Sequence, residues 1–218
     1  MSQDKEKFKV PRSVQQVIPI QRIWSDGVFK IGKNKYSKSF KFTDINYAVL
    51  SMEEQKSMLN KYIEVLGSLD TTTTTKITVN NRRISKDEFE RQCYLNKRDD
   101  DLNHFREEYN DAMFGKMQNR NCIVQDKYVT VSVYKRNIEE ARNAFYRIGN
   151  ELRTRFGRLG SRMEEMDAME RLRCLHDFYR IGEEAGFQMD LKELMQKGHS
   201  FKDSICPDSM EFENDHFK

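Results

Sequence analysis

The segment 27–34, GVFKIGKN, has the spacing of a phosphate-binding loop up to its last position. That position normally carries a Ser or Thr that holds magnesium, whereas this chain has Asn34. A functional loop also follows a strand and begins a helix, so that its backbone amides face the phosphate. Here the alternating pattern continues into residues 36–42, which predicts another strand. We therefore expect a turn at Gly27 and a solvated Lys33 instead of a nucleotide site.

The other reactive side chains do not form a catalytic pattern. The segment 157–161, GRLGS, follows a predicted helix and lacks a lysine, so it is more typical of a helix end and a turn. Cys174 and His176 are two residues apart on a predicted helix and therefore point in different directions. The acidic runs 99–101 and 164–167 resemble helix starts, where carboxylates meet the positive end of the helix dipole. The sequence predicts no enzyme activity, no cofactor and no metal site.

Composition sets the class of protein. The chain has 218 residues, 37% hydrophobic and 33% charged, with 14 Phe, 9 Tyr and 11 Met, which is enough for a packed core. The net charge of +3 is too small to imply a partner. The four cysteines are scattered without a C-x-x-C pair, which favours free thiols in a reducing compartment. Residues 1–9 lack an apolar signal core, and no segment approaches the ~18 apolar residues of a membrane span.

Hydrophobic periodicity predicts two strand–helix–strand units. The first consists of strand 35–42, helix 51–68 and strand 76–82, and the second of strand 123–135, helix 138–156 and strand 158–166. Their order predicts an α+β fold, a ferredoxin-like split βαβ sandwich with helices on one face of an antiparallel sheet. Strand 17–24 and strand 28–31, joined by a turn at Asp26 and Gly27, would add an N-terminal β-hairpin.

Local signals define the remaining elements. Capping-box patterns start helices at Ser51 and Ser85, Asp167 caps a helix that continues through Tyr179, and Asp190 caps a further short helix. The helix after Ser51 is expected to direct one set of apolar residues toward the core: Met58, Leu59, Tyr62, Leu66 and Leu69. Residues 85–119 would be a helical insertion in a single domain, 10–200. Residues 1–9 would be a disordered tail, and 201–218 a loose, acidic C-terminal segment.

Two candidate interaction surfaces follow from these elements. On the insertion helix 99–117, Phe105, Tyr109, Met113 and Met117 form an apolar stripe that either packs on the domain or meets a partner. A second set of residues is basic and is a candidate for contact with phosphates: Lys33, Lys35, Lys41, Arg82 and Arg83. Lysines on a solvated strand face more commonly protect a sheet edge.

Eight segments of the chain together resemble the opening of the conjugative-transfer ATPases. They are VPRSVQQ (10–16), IPI (18–20), YSKSF (36–40), FTDINY (42–47), TKITVNNRR (75–83), RLGS (158–161), ERLRCLHDFY (170–179) and FKDSICPD (201–208). The resemblance covers most of the chain and is to the type IV secretion ATPases of the TrbE/CagE/TraC type, in the branch found in integrative conjugative elements.

That resemblance implies a role without catalysis. In the family, a non-catalytic amino-terminal domain precedes the ATPase domain, and this chain contains neither Walker motif. The chain is thus expected to be the amino-terminal domain, which docks the motor on the secretion channel at the cytoplasmic face of the membrane and helps it to form oligomers. The implied partners are channel proteins, the parent ATPase domain and further copies of the chain. The alternative is a nucleic-acid-binding module that uses the basic hairpin.

Overall fold

The computed structural model describes residues 11–45, 47–84, 86–119, 123–180, 187, 189 and 200–207. Within these ranges the helices are α1 (Val14–Val17), α2 (Met52–Gly67), α3 (Lys86–Cys93), α4 (Asn103–Asn119), α5 (Ile138–Arg158), α6 (Ala168–Tyr179) and α7 (Phe201–Ile205). The strands are β1 (Arg22–Ile23), β2 (Phe29–Gly32), β3 (Lys35–Phe42), β4 (Thr74–Arg83), β5 (Ile123–Tyr134) and β6 (Met163–Glu165). The predicted α+β class is confirmed.

The described strands form one antiparallel sheet in the order β1-β2-β3-β5-β4, with β6 added beside β3. One edge of β3 pairs with β5 from Lys35↔Tyr134 to Phe42↔Lys127. The other edge is shared, because β2 pairs with the first residues of β3 and β6 pairs with Phe40–Phe42. The strands of the two strand–helix–strand units therefore lie in the spatial order β6, β3, β5, β4.

The main core lies between the first face of this sheet and helices α2 and α5. Along β5, Val129, Val131 and Val133 alternate toward the core, as the period of a strand requires. Helix α5 starts at its cap Asn137, whose side chain accepts a hydrogen bond from the Glu140 backbone amide at 2.9 Å. Its inward face buries seven residues: Ala141, Ala144, Phe145, Ile148, Gly149, Leu152 and Phe156.

Helix α6 covers part of the opposite face of the sheet. It starts at a capping box formed by Asp167 and Glu170, as the sequence predicts. Its Leu172 belongs to a second core cluster with Ile18, Ile20 and Phe29. Helices α2 and α5 therefore share one face of the sheet, whereas the C-terminal helix α6 lies on the other face. Ser37 and Ser39 are small enough to be buried on the second face and leave room for α6.

The N-terminal hairpin forms with a shorter first strand than predicted. β1 pairs with β2 at Arg22↔Lys30, and the turn closes with a hydrogen bond from the Gly27 amide to the Trp24 carbonyl at 3.0 Å. The strand predicted over 17–24 includes only Arg22–Ile23, because Val14–Val17 is a helical turn and Pro19 lacks the N–H that a strand ladder uses.

Two further expectations need correction. The strand predicted over 158–166 is limited to Met163–Glu165, because α5 continues to Arg158 and then reverses at Gly160, whose φ is +81°. Residues 201–206 do not form a loose segment: α7 starts at a Ser200–Asp203 capping box, and Ile205 is fully buried. The tail 1–9, the capping box at Ser85, the cap at Asp190 and the end of the acidic segment, 208–218, lie outside the described residues.

Candidate functional site

The GVFKIGKN stretch forms a turn, a strand and a second turn. Gly27 has φ +77°, and a Cβ atom there would lie 2.1 Å from the Met166 carbonyl oxygen. Residues 29–32 form β2, and Asn34, with φ +56°, leads directly into β3. Because no helix follows the second glycine, the backbone amides do not form a phosphate cradle. The prediction of a turn glycine is confirmed at Gly27.

Cys174 and His176 do not meet. Burial raises the pKa of the Cys174 thiol to about 11, which removes its thiolate character near neutral pH. His176 is buried instead beside Asp177, with Nδ1 3.5 Å from Oδ1, and packs against the ring of Phe187. Burial raises the pKa of Asp177. Within the described ranges, no three His, Cys, Asp or Glu side chains converge as a metal site requires.

The predicted basic residues are not gathered on one open surface. Lys33 is exposed in a turn, and the Lys35 ammonium lies 5.2 Å from the centre of the Tyr134 ring. Lys41 pairs with Asp126 at 2.8 Å. Arg83 ends β4 opposite Ile123. Lys35 and Lys41 share one face of β3, but Lys41 and Arg82 are both paired with Asp126, so the expected basic surface has two of its charges neutralised.

Arg82 is the clearest correction, because it is buried and neutralised. Its guanidinium donates two hydrogen bonds to Glu88, at 2.7 and 2.8 Å, and one to Asp126 at 2.7 Å. The hydrogen bond from Arg82 lowers the pKa of Glu88. Burial alone would raise the pKa of Asp126, but hydrogen bonds from Lys41 and Arg82 outweigh burial and lower it. Arg82 thus ties α3 to the sheet.

The apolar stripe on α4 faces outward. Phe105 is 58% exposed and Tyr109 is 44% exposed, whereas Met113 and Met117 are half-buried. Their spacing of four residues keeps them on one side of the helix. The Phe105 ring lies against the neighbouring His104 ring, with the centroids 3.8 Å apart. Exposed aromatic side chains are a feature of protein-binding surfaces. The structure therefore leaves the aromatic half of the predicted stripe available to a partner.

Polar contacts outside the main core join α4 to the segment that precedes it. The Asn110 side chain exchanges two hydrogen bonds with the backbone of Leu95, at 2.9 and 3.1 Å. Arg106 pairs with Asp100 just before the helix, and Lys97 pairs with Glu107 at 2.6 Å. These contacts fix the angle of α4 relative to the preceding segment without burying its apolar residues.

Helix α2 also exposes apolar residues that were expected to face inward. Leu59 is 54% exposed and Leu66 is 42% exposed, while Val65 is buried. The inward stripe of α2 is formed instead by Met58, Tyr62 and Val65, with Leu69 just beyond the helix. The expected core set of this helix is therefore wrong at Leu59 and Leu66, because the inward face is rotated toward Val65.

Sequence analysis missed a groove of ≈ 380 Å³ on the second face of the sheet, beside α6. Its floor includes Ser39, Thr130 and Thr78, and its walls include Ile18 and Leu175. The only sequence signal was the pair Ser37 and Ser39, small polar residues at alternate positions of β3 and therefore on one face of it. Which helix would reach across that face depends on tertiary packing, and the sequence pattern does not specify it.

The chain matches no protein-family model, and no curated protein matches it. None of the helices in the described part of the chain combines the length and apolar character that crossing a membrane requires.

Proposed function

We propose that the chain is a non-catalytic docking domain and that the outward stripe of α4 is its main contact surface. The observation that carries this proposal is the exposure of Phe105 and Tyr109 on a helix that polar contacts join to the segment before it. Aromatic and methionine side chains are enriched in protein interfaces, and a few residues there carry most of the binding energy. A helix that is already formed loses less conformational entropy on binding than a segment that must fold.

The partner class in this proposal follows from the resemblance to type IV secretion ATPases. The stripe would contact a channel protein, the parent ATPase domain or another copy of the chain, at the cytoplasmic face of the membrane. In this role the domain positions the motor and performs no chemistry. Preparations of the chain should then show no magnesium-dependent ATP hydrolysis; hydrolysis that is lost in Lys33→Ala would contradict the proposal.

The proposal includes a ferredoxin-like core, in the split βαβ sense. The strand order β6, β3, β5, β4 supports it, since the first strand of each half is central and the two halves interleave. Helices α2 and α5, which connect the strands of the two halves, pack on the same face. In this arrangement, α3 and α4 are an insertion between the halves, and α6 is an addition to the opposite face.

Nucleic-acid binding is the weaker alternative, because Arg82 is buried and Lys41 is paired. Binding through phosphates would require several free cations and would weaken steeply with salt. Salt-dependent binding of single-stranded DNA to the full chain, reduced by Lys33→Ala together with Lys35→Ala, would favour this alternative over docking.

The test compares two double variants of α4. Tyr109→Ser with Met113→Ser removes the two central residues of the apolar stripe, and Glu107→Ser with Asp111→Ser changes two exposed polar positions on the opposite side of the same helix. Circular dichroism establishes that both variants fold. Their self-association is measured by sedimentation velocity, and their support of DNA transfer is measured in the cell of origin.

Only the apolar double variant should lose association or transfer, by about tenfold or more, as the loss of a central interface contact does. If the apolar variant folds and is fully competent in both assays, the docking role of α4 is wrong. Equal loss in both variants would mean that α4 matters for reasons other than its apolar stripe.

A further inference from the structure

In the described part of the chain, the groove beside α6 is lined by cationic side chains and by no acidic ones. Two cationic side chains, Arg171 and Lys76, line it, and its lining includes no Asp or Glu. Arg171 is buried, whereas Lys76 is exposed at the rim. A groove with cations and no carboxylates favours an anionic group in its occupant.

Arg171 is a buried cation held by neutral groups. Its Nη1 donates to the carbonyl oxygens of Gly27 and Ser37, at 2.7 and 2.8 Å, and Nη2 donates to Ser37 Oγ at 3.1 Å. Its guanidinium carbon lies 3.9 Å from the centre of the Phe29 ring. Among the described residues, the ion pairs include none between Arg171 and a carboxylate. Buried charges are usually paired, so this site has unused capacity for an anion.

The polar groups of the groove are arranged along its floor. Ser39, Thr130 and Lys76 lie side by side on β3, β5 and β4, because the pairing register aligns them. Ser39 and Thr130 satisfy each other through a hydrogen bond of 2.8 Å. Arg171 contacts Ser37, the neighbour of Ser39 on the same face. The cationic part of the groove is thus the row of Ser39, Thr130 and Lys76 across the sheet, together with Arg171 beside it.

The rest of the groove is apolar. Its walls carry Ile18, Ile20, Ile31, Leu175 and Phe178. Phe178 is 66% exposed at the rim, so a ligand would gain by covering it. The volume of ≈ 380 Å³ lies within the range of small-molecule sites and holds about a dozen atoms at ~30 Å³ each.

From this combination we infer that the groove binds a small amphiphilic carboxylate: an aliphatic chain of about ten carbons, with its head group at the row between Arg171 and Lys76 and its tail along the apolar walls. The carboxylate supplies the anion that Arg171 lacks, and the tail replaces water on the partly exposed Ile31, Leu175 and Phe178. This site is on the face of the sheet opposite the main core and does not depend on α4.

The first experiment measures the binding of decanoate to the full chain by isothermal titration calorimetry. Decan-1-ol has the same aliphatic tail but a neutral head group, so it shows how much the negative charge contributes to affinity. Butyrate keeps the carboxylate but has a short tail, so it shows how much the tail contributes. Decanoate should bind about tenfold or more tightly than either control, since charge-assisted hydrogen bonds and apolar burial both contribute. Equal affinity for decanoate and decan-1-ol would refute the anionic site, and no binding of decanoate would refute the groove as a ligand site.

Substitutions elsewhere in the groove, with Arg171 unchanged, test whether decanoate binds in the groove. Lys76→Gln should weaken decanoate severalfold and leave decan-1-ol unchanged. Thr78→Phe should fill the groove floor and abolish the binding of both. Thr74→Phe is the matched control, because Thr74 lies on the same strand and the same face but outside the groove lining, and it should change neither. Decanoate binding that is unaffected by Lys76→Gln and by Thr78→Phe would contradict the proposal.

A measurement on the unaltered chain does not depend on any variant folding. Cys174 lines the groove, whereas Cys93, on α3, is a free thiol outside the lining. At pH 9, where a fraction of the Cys174 thiol is ionised, decanoate should slow the alkylation of Cys174 by iodoacetamide, measured peptide by peptide, and leave the rate at Cys93 unchanged. Equal slowing at both cysteines, or none at Cys174, would show that decanoate does not occupy the groove.

Discussion

Phe145 and Tyr146 are adjacent aromatics on α5 that differ almost completely in burial. Phe145 is 1% exposed within the main core, and Tyr146 is 71% exposed. Phe145→Ala should remove about 150 Å² of buried apolar surface, which at ~25 cal/mol/Å² lowers the free energy of unfolding by about 4 kcal/mol. Large-to-small substitutions of buried Phe cost about 3–5 kcal/mol, which agrees with this figure.

Tyr146→Ala is the control, because it makes a similar change at the next position of the same helix. Both substitutions gain a similar amount of helix propensity, so that term cancels in the comparison. Tyr146→Ala should change the free energy of unfolding by about 0.5 kcal/mol or less. Urea unfolding followed by circular dichroism measures both values, and the thermal midpoint of Phe145→Ala should fall by roughly 8–16 °C. Equal effects of the two substitutions would mean that the inward face of α5 is wrongly assigned.

Further predictions concern turns, acid stability and the α4 stripe. Gly27→Ala should prevent the hairpin turn from forming as observed and lower the thermal midpoint, whereas Gly157→Ala, which meets no atom within 4 Å, should raise stability by about 0.5–1 kcal/mol. The pKa of Glu88 is lowered in the folded state, so its stabilising effect is present above the ordinary value of 4.5 and is lost as pH falls through the folded value. Glu88→Gln should therefore flatten the loss of stability below pH 4.5 in acid titrations of unfolding. Tyr109→Ser with Met113→Ser should cost about 1 kcal/mol or less in urea unfolding, because the stripe is largely outside the core; a cost of several kcal/mol would assign the stripe to the core.

Local patterns predicted the elements that have strong periodicity and caps. β3 was predicted at its observed bounds, and α5 was predicted from its cap Asn137 and its apolar spacing. β4 was also predicted, although it begins two residues earlier. These elements are specified by side chains close in sequence, so a single chain is enough to locate them.

The sequence-based predictions were wrong where contacts between residues far apart in the sequence determine the structure. In the sequence, Arg82 is typical of a basic surface residue. In the fold it is buried and forms ion pairs with Glu88 and Asp126. Leu59 and Leu66 fit a helical stripe as well as Val65 does, and only the packing of α2 on the sheet selects Val65. The groove beside α6 could not be predicted, because an arginine on a helix is usually exposed. Only the folded chain brings Ser37 and the Gly27 carbonyl within hydrogen-bond distance of Arg171.

The central claim is that α4 docks a protein of the transfer apparatus. The most direct measurement places a photoreactive phenylalanine analogue at position 105 and, as a control, at exposed position 111 on the opposite side of the same helix, in the cell of origin. Mass spectrometry then identifies the cross-linked proteins. Position 105 should cross-link to the parent ATPase domain, a channel protein or another copy of the chain, and position 111 should do so much less. Cross-links from position 105 only within the same chain, or equal yields at both positions, would contradict the claim.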